Sequence, residues 1–324
     1  MKNITLKDVA QRCKVSKATV SRVMSGSDKI SERTKKKVLS AVNELGYIPN
    51  ANAQSLVNKK TQSIGLLIPA SKNYDFIFEN QFYIECLTYL SLFAEEKGYY
   101  LLTMVSSNDN ELELLKNTVG TNKVDGIILL SSKKSDENIK YLHNIQKPFV
   151  VIGNVDEYFK QIVYHVDNNN EQISYNITKE FLNAGIDKIL FITGSKNLHV
   201  SIDRQKGFEK AYKDLKRKFD YSYIKHGIFS EFEGLQIVKE FDKEIQAILT
   251  TDDVFAIGAK KFLSNKPIVG FNNSKLSEIL NINTVDIKTN KLCQKAIDIL
   301  VDLLDEKMPD KKEYIIKAKF IERN

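Results

Sequence analysis

The hydrophobic and polar positions follow two different patterns along the chain, and the pattern changes near residue 61. Before that point, apolar residues recur every three or four positions in three short stretches, which is the period of an amphipathic helix. The stretches carry Leu6, Val9 and Ala10, then Val20 and Val23, then Val38, Ala41, Val42 and Leu45. Beyond that point, short continuous apolar runs alternate with helical stretches. The pattern predicts a small all-α module followed by an α/β body.

Local signals mark where the three predicted helices begin and end. Thr5 and Asp8 have the spacing of a capping box, and Ser16 and Ser31 precede the second and third helices. Gly46 ends the third helix. About three residues join the first two helices, which is typical of a helix-turn-helix whose second helix enters the DNA major groove by its N-terminal end.

The apolar runs of the body fall into two series. The first contains IGLLI, YYLLTMV, GIILL and FVVIG, and the second contains IVYHV, ILFIT, YSYIKHG, AILTT and PIVGF. Continuous apolar strands joined by helices are typical of parallel sheets that are covered on both faces. Two successive series therefore predict two doubly wound parallel-sheet subdomains, with a ligand between them at the carboxyl ends of the strands.

The distribution of charge along the chain indicates a polyanionic partner. The whole chain of 324 residues has a net charge of +7, from 48 basic and 41 acidic residues. Residues 1–60 alone hold thirteen basic and four acidic residues, so the rest of the chain is nearly neutral. A basic module of this kind suits a polyanion, because lysines and arginines that meet phosphates release condensed counterions.

The sequence lacks the signals of membrane proteins, secreted proteins and common enzyme classes. No apolar run approaches the ~18 residues of a membrane span, and the first residues do not resemble a signal peptide, so we expect a cytoplasmic protein. Cys13, Cys86 and Cys293 form no metal or disulfide spacing and are expected to be reduced. Nucleotide-binding glycine motifs, GxSxG and HExxH are absent, which predicts no enzyme activity, no cofactor and no metal. The histidines, expected at the surface or in loops, are His143, His165, His199 and His226.

Three segments of the N-terminal module resemble a known family. TLKDVA, VSKATVSRVMSG and ISERTKKKVLSAVNELGYIPNANAQSL are similar, almost position by position, to the headpiece of the lactose-repressor (LacI/GalR) family. The resemblance implies a transcriptional repressor that binds pseudo-palindromic operator DNA as a homodimer. It also implies a helix-turn-helix headpiece over residues 1–46, a hinge helix and linker over 47–61, and an effector-binding and dimerisation core over 62–324 with a periplasmic-binding-protein-like fold. Within the core, we expect an N-subdomain at about 62–160 plus 287–311 and a C-subdomain at about 161–286 plus 312–324.

The same resemblance implies the DNA contacts. Lys17, Ala18 and Arg22 fall where the family reads base edges, and Arg22 suits bidentate pairing with a guanine. Ala53 and Leu56 fall in the hinge helix, where the family wedges a leucine into the minor groove. The other expected contacts, most of them to phosphates, are Thr5, Leu6, Ser16, Thr19, Ser21, Ser31, Thr34, Tyr47, Asn50, Gln54 and Lys59. Lys14 stands at a turn position that is often Gly, so a positive φ there predicts strain.

In the body, residues 203–208 (DRQKGF) match the family motif D-R-x-x-G-[FYW], whose Arg grips effector hydroxyls. This implies that Arg204 binds the effector, although a salt bridge to Asp203 or to a strand end is the alternative. Asp167, Asp252 and Asn272 stand at strand ends where the family places further hydroxyl-binding groups, with helix capping as the alternative for the two aspartates. The family more often has Asn at 252 and Asp at 272.

An aromatic segment, YDFIFENQFY, follows the first strand of the body and supplies Phe78, Asn80 and Phe82. Aromatic faces cover the apolar faces of sugar rings, but Phe82 suits the core of the following helix equally well. Together with TQSIGLLIP and GSKNLHVSIDR, this segment resembles the maltose-operon repressors of the family, which implies maltose or a short maltodextrin as effector.

Other readings stay open at this point. A regulator of the same family can respond to a purine, to a sugar phosphate or to a phosphoprotein corepressor. A sugar-binding module with no regulatory role is a further alternative, which predicts no operator binding. Whether the effector releases or tightens DNA binding does not follow from the residues.

Overall fold

The structure, a computed structural model, describes residues 4–24, 26–47, 60–69, 80–106, 110–130 and 132–323. The chain divides into two compact units, Met1–Thr61 and Gln62–Asn324. Asn50, Ala53, Gln54, Leu56, Lys59 and Phe78, all predicted above to bind DNA or effector, lie outside the described residues.

The first unit contains three helices, α1 (Leu6–Cys13), α2 (Lys17–Met24) and α3 (Glu32–Leu45). The predicted caps are present: the Thr5 backbone N–H and hydroxyl both donate to the Asp8 carboxylate, at 2.8 and 2.6 Å. Ser16 accepts a hydrogen bond from the Thr19 backbone N–H at 3.0 Å. The helices pack around a small core that consists of Val9, Ala10, Cys13, Val20, Val23, Val38, Ala41 and Val42. Amphipathic spacing and caps thus account for this unit.

Lys14, at the end of α1, has the left-handed conformation that the sequence suggested, with φ 52° and ψ 46°. A side chain with a Cβ is strained in this region, whereas glycine is not. We therefore expect Lys14→Gly to raise the free energy of unfolding of the first unit by up to about 1 kcal/mol. Hydrogen exchange of the α1–α3 amides in the full chain measures this change, and exchange that becomes faster in the variant would contradict it.

The second unit is an α/β core that contains two six-stranded sheets. Its strands are β1 (Ser63–Ile68), β2 (Tyr100–Val105), β3 (Gly126–Leu130), β4 (Phe149–Ile152), β5 (His165–Asp167), β6 (Ile189–Thr193), β7 (Ile224–His226), β8 (Ala247–Thr250), β9 (Ile268–Phe271), β10 (Asn283–Asp286), β11 (Glu313–Ile315) and β12 (Lys319–Ile321). Its helices are α4 (Gln81–Glu96), α5 (Glu111–Gly120), α6 (Glu137–Asn144), α7 (Asn170–Asn183), α8 (His199–Asp214), α9 (Glu231–Glu240), α10 (Asp253–Phe262), α11 (Lys275–Ile279) and α12 (Thr289–Leu304), besides two single-turn 3₁₀ segments.

The first sheet has the order β11-β5-β4-β3-β1-β2 and the second β12-β10-β9-β8-β6-β7. The pairs are parallel except β10 with β12, which are antiparallel. The central strands β3, β4, β6, β8 and β9 are buried along their whole length, which explains their continuous apolar runs. The predicted fold class, a helical headpiece and two doubly wound subdomains, is confirmed.

The expected subdomain boundaries are wrong at two crossovers. The apolar pattern puts the run IVYHV in the second series, and the family resemblance predicts a C-subdomain that begins at about 161 and resumes at about 312. However, β5 pairs with β4, and β11 pairs with β5, so both strands belong to the first sheet. The chain crosses to the second sheet after Asp167, returns to the first sheet between Asp286 and Glu313, and crosses again after Ile315. A buried apolar strand has the same pattern in either sheet, so periodicity alone did not identify its partner.

Candidate functional site

The polar side chains predicted to bind effector converge on one cavity between the two sheets of the core. The cavity and its open mouth together enclose about 660 Å³. Of the predicted effector residues that the structure describes, all six line it: Asn80, Phe82, Asp167, Arg204, Asp252 and Asn272. Its apolar walls come mainly from Tyr83, Ile152, Leu198, Val200, Phe229, Ile287 and Leu292.

Arg204, in the first half of α8, is buried in the wall of the cavity and held on three sides. Its Nε donates to Asn170 Oδ1 at 2.8 Å, and its Nη1 donates to the Thr251 carbonyl oxygen at 2.6 Å. Its guanidinium carbon lies 3.8 Å from the centre of the Phe271 ring. Burial lowers the Arg204 pKa to about 10, so the side chain stays charged at neutral pH. Of the two alternatives, a salt bridge to Asp203 is wrong, whereas Arg204 does make a hydrogen bond at a strand end, because Thr251 directly follows β8.

Asp203 instead points to the other subdomain. It accepts a hydrogen bond from Asn154 Nδ2 at 2.6 Å and lies 3.6 Å from Lys206 Nζ. Gly207, the glycine of the DRQKGF motif, has a separate role: a Cβ there would lie 2.0 Å from the Glu171 carbonyl oxygen. The glycine therefore permits the close packing of α8 on α7 that brings Arg204 to Asn170.

Asp252 joins the two subdomains. Its Oδ2 accepts hydrogen bonds from Asn80 Nδ2 at 3.2 Å and from Asn272 Nδ2 at 2.8 Å. Its Oδ1 accepts from the Val254 backbone N–H at 2.9 Å, so Asp252 also caps α10. The effector and capping interpretations of this residue are therefore compatible. Asn80 and Asp252 are 172 positions apart in the chain, and only the fold brings them together.

Asp167, at the end of β5, accepts hydrogen bonds from Asn170 Nδ2 at 3.1 and 3.2 Å. It does not cap α7, because Asn169 holds that position and accepts from the Gln172 backbone N–H. Asn170 was not among the predicted site residues. The signal for it was the run of three asparagines after the strand, of which the last begins the helix.

Two histidines contradict the expectation of surface or loop positions. His165 lies in β5, fully buried, with Nδ1 3.1 Å from the Val163 carbonyl oxygen. His199 begins α8, is buried, and has Nε2 3.2 Å from Asp156 Oδ1 of the other subdomain. Among the described residues, no cluster of three or more His, Cys, Asp or Glu has the arrangement of a metal site. No helix in the described ranges is long and apolar enough to cross a membrane.

The pKa values of Asp167 and Asp252 are each raised to about 7, chiefly because burial penalises the charged carboxylate. The pKa of each carboxyl is higher in the folded state than its value of 3.8 in the unfolded state. Each group therefore stabilises the folded state most below about pH 3.8, and this stabilisation is lost as the pH rises through about 7. The free energy of unfolding of the core should therefore fall between about pH 4 and pH 7, by at most about 1.4 kcal/mol per pH unit for each group.

Urea unfolding of the full chain across this pH range tests the sign of the pH dependence and identifies the groups that cause it. Asp252→Asn should flatten the pH dependence, because it removes one of the buried carboxyls whose pKa is raised. The exposed Asp214 at the end of α8 provides the matched control, and Asp214→Asn should leave the slope unchanged. An unaltered slope in Asp252→Asn would show that this carboxyl does not titrate there.

In the first unit, the residues predicted to contact bases lie on one exposed face of α2. Lys17, Ala18 and Arg22 are exposed, whereas Val20 and Val23 on the same helix are buried. Ser16 and Thr19 lie at its N-terminal end with their hydroxyl oxygens 2.9 Å apart. Leu6 and Tyr47, also predicted to contact DNA, pack partly against the small helical core. The remaining predicted contacts in the described ranges, Thr5, Ser21, Ser31 and Thr34, are exposed or half-buried.

Comparison with known proteins supports the same division of the chain. The model of bacterial regulatory proteins of the lacI family matches residues 5–50, and the model of periplasmic binding protein-like domains matches residues 178–324. The HTH-type transcriptional regulator MalR of Streptococcus pneumoniae is 32% identical over 333 residues, which cover 99% of each chain. The chain belongs to the LacI family. It is therefore a transcriptional repressor of that family and not an enzyme.

Two solved structures of family members extend the comparison. The lac repressor dimer bound to operator has a TM-score of 0.85 at 20% identity, covering 99% of this chain and 98% of that one. A Staphylococcus aureus protein named as a probable maltose operon transcriptional repressor has a TM-score of 0.71 at 28% identity, covering 82% and 98%. The first likeness concerns the fold alone. LacI-family repressors bind operator DNA and sugar effectors.

Proposed function

We propose that this LacI-family repressor binds its operator as a homodimer and releases it when maltose or a short maltodextrin enters the core cavity. The observation that carries the proposal is the convergence of Arg204, Asp167 and the Asn80–Asp252–Asn272 group on one cavity with apolar walls. Charged and amide side chains in fixed positions suit a polyol, because each can form two hydrogen bonds with neighbouring hydroxyls, which both donate and accept.

The charges in the cavity favour a neutral sugar over a phosphorylated ligand. Arg204 is its only arginine or lysine among the described lining residues, and Asp167 and Asp252 both lie close by. A phosphate in this cavity would meet two acidic side chains, each partly ionised at neutral pH, and a single guanidinium, which is unfavourable in a desolvated site. Similarity to MalR and to the S. aureus protein supports maltose among the neutral sugars.

The headpiece would bind the operator through α2. Its exposed Lys17, Ala18 and Arg22 suit the edges of bases in the major groove, and the serines and threonines at the helix ends suit phosphates. In this proposal, the hinge residues Ala53 and Leu56 enter the minor groove from both subunits. Effector binding separates the two hinges and removes that contact.

A second copy of the chain would cover the apolar edge of the first sheet. Strand β2 forms that edge and exposes Tyr100 and Leu102, and the neighbouring α4 exposes Ile84 and Leu92. One headpiece gives little specificity, whereas two headpieces read the two halves of a pseudo-palindrome. A homodimer would therefore both cover the exposed apolar surface and supply the two headpieces that a pseudo-palindromic operator requires.

Titration calorimetry of the full-length protein tests the effector class. We expect maltose or maltotriose to bind, and glucose 6-phosphate and hypoxanthine not to bind. Binding of glucose 6-phosphate or hypoxanthine in preference to the two sugars would overturn the assignment. A gel shift on the upstream DNA of the gene tests the regulatory role, because a sugar-binding module without that role would shift no DNA.

A further inference from the structure

Asn170 occupies a position between the two oppositely charged side chains of the cavity. Its Oδ1 accepts from Arg204 Nε at 2.8 Å, and its Nδ2 donates to both Asp167 oxygens at 3.1 and 3.2 Å. Its side chain is buried, and it lines the cavity together with both partners. A single neutral amide thus bridges a carboxylate and a guanidinium.

The other contacts of Arg204 leave one edge of its guanidinium for a ligand. Nε and Nη1 are engaged by Asn170 and by the Thr251 carbonyl, and one face of the group lies on Phe271. Within the described ranges, Nη2 makes no hydrogen bond. Asp167 likewise retains acceptor capacity, because a carboxylate offers about four lone-pair sites.

Without a spacer, these two charges would satisfy each other. Buried opposite charges attract strongly, and a bidentate arginine–carboxylate pair is the geometry that both groups prefer. In the part of the chain that the structure describes, Arg204 forms no direct ion pair with a carboxylate, and Asn170 stands in the place that such a pair would need. A direct pair would consume the donors and acceptors that a sugar requires.

We propose that Asn170 is a positioning residue, a neutral spacer that keeps Asp167 and Arg204 apart so that each can bind a neighbouring hydroxyl of the effector. The inference rests on the proposed effector site. It adds a residue that sets both affinity and selectivity, because the spacing between the two groups defines which pair of hydroxyls fits.

The proposal predicts specific consequences for two variants. In Asn170→Ala the spacer is absent, and Arg204 turns to Asp167. In Asn170→Asp the shape is kept, but Arg204 acquires a direct carboxylate partner. Both variants should bind maltose at least about tenfold more weakly than the wild type, because binding must first break an internal pair. Circular dichroism and urea unfolding without sugar check that both variants fold.

The neighbouring Asn169 supplies the matched control. It caps α7 through the Gln172 backbone N–H and is exposed, and it makes no contact with Arg204. Asn169→Ala therefore loosens the same helix start without removing the spacer. We expect its maltose affinity to lie within about twofold of the wild type.

A second measurement separates positioning from general loosening. Calorimetry with maltose analogues that each lack one hydroxyl identifies the hydroxyls whose removal weakens binding to the wild type by about tenfold or more. In Asn170→Ala, removal of the hydroxyls bound by Asp167 and Arg204 should cost less affinity than in the wild type. In Asn169→Ala, every such loss of affinity should be the same as in the wild type.

Three results would overturn the inference. They are wild-type maltose affinity in Asn170→Ala, an equal loss in Asn170→Ala and Asn169→Ala, and unchanged hydroxyl penalties in Asn170→Ala. A wild-type protein that binds neither maltose nor maltotriose would instead refute the proposed function, and the spacer role would fall with it. The wild-type titration thus distinguishes the two failures.

Discussion

Arg204→Ala is expected to lower the affinity for the sugar effector by about 2 to 5 kcal/mol while operator affinity stays nearly unchanged. The substitution removes the only arginine among the described cavity residues and leaves the Thr251 carbonyl oxygen and Asn170 Oδ1 without their buried donor. Promoters controlled by the variant should stay repressed in the presence of sugar.

Calorimetry for the sugar and fluorescence anisotropy for the operator measure the two affinities separately. Lys206→Ala is the matched control, because Lys206 lies on the same helix with 61% of its side chain exposed and outside the cavity. It should keep wild-type sugar affinity. If Arg204→Ala binds sugar normally, the assignment of the cavity as effector site is wrong.

Arg22→Ala is expected to weaken operator binding by about 1 to 3 kcal/mol for each half-site and to relax the preference at one base pair. Arg22 is exposed on α2, on the face opposite the buried Val20 and Val23. A bidentate arginine–guanine pair discriminates bases, so its loss should affect the cognate operator far more than unrelated DNA. In a dimer, the arginine–guanine contact is lost in both half-sites.

Lys59→Ala provides the contrast, because a phosphate contact carries no sequence information. It should weaken all DNA sequences alike and reduce the salt dependence of binding by about one unit of slope. Competition among operators with single substitutions measures both variants. A base-specific loss in Lys59→Ala, or a uniform loss in Arg22→Ala, would mean that base and phosphate contacts have been confused.

The sequence was most informative where the determinants of structure are local. The capping box of Thr5 and Asp8 and the left-handed conformation of Lys14 follow from neighbouring residues, and the structure contains both. The continuous apolar runs likewise predicted buried parallel strands, because their burial on both faces leaves no room for alternation. The assignment of β5 and β11 to a sheet depends on partners far away in the chain, and there the prediction was wrong.

Prediction of the site from the sequence was limited in the same way, because its details depend on contacts between distant parts of the chain. Family resemblance named Arg204, Asp252 and Asn272, but it did not show that Asn80 reaches Asp252 from the other subdomain. It also missed Asn170, whose role depends on the distance between two side chains that only the packing of α7 and α8 fixes. The buried position of His199 likewise results from contact between subdomains, which no local pattern encodes.

The central claim is that a sugar in the core controls DNA binding by the headpiece, and coupled sites must affect each other equally. The most direct test is the operator affinity of the full-length dimer measured across a maltose titration. We expect the operator dissociation constant to rise and to reach a plateau as the cavity saturates, and operator DNA to weaken maltose binding by the same factor. An operator affinity that stays constant at saturating maltose would contradict the account.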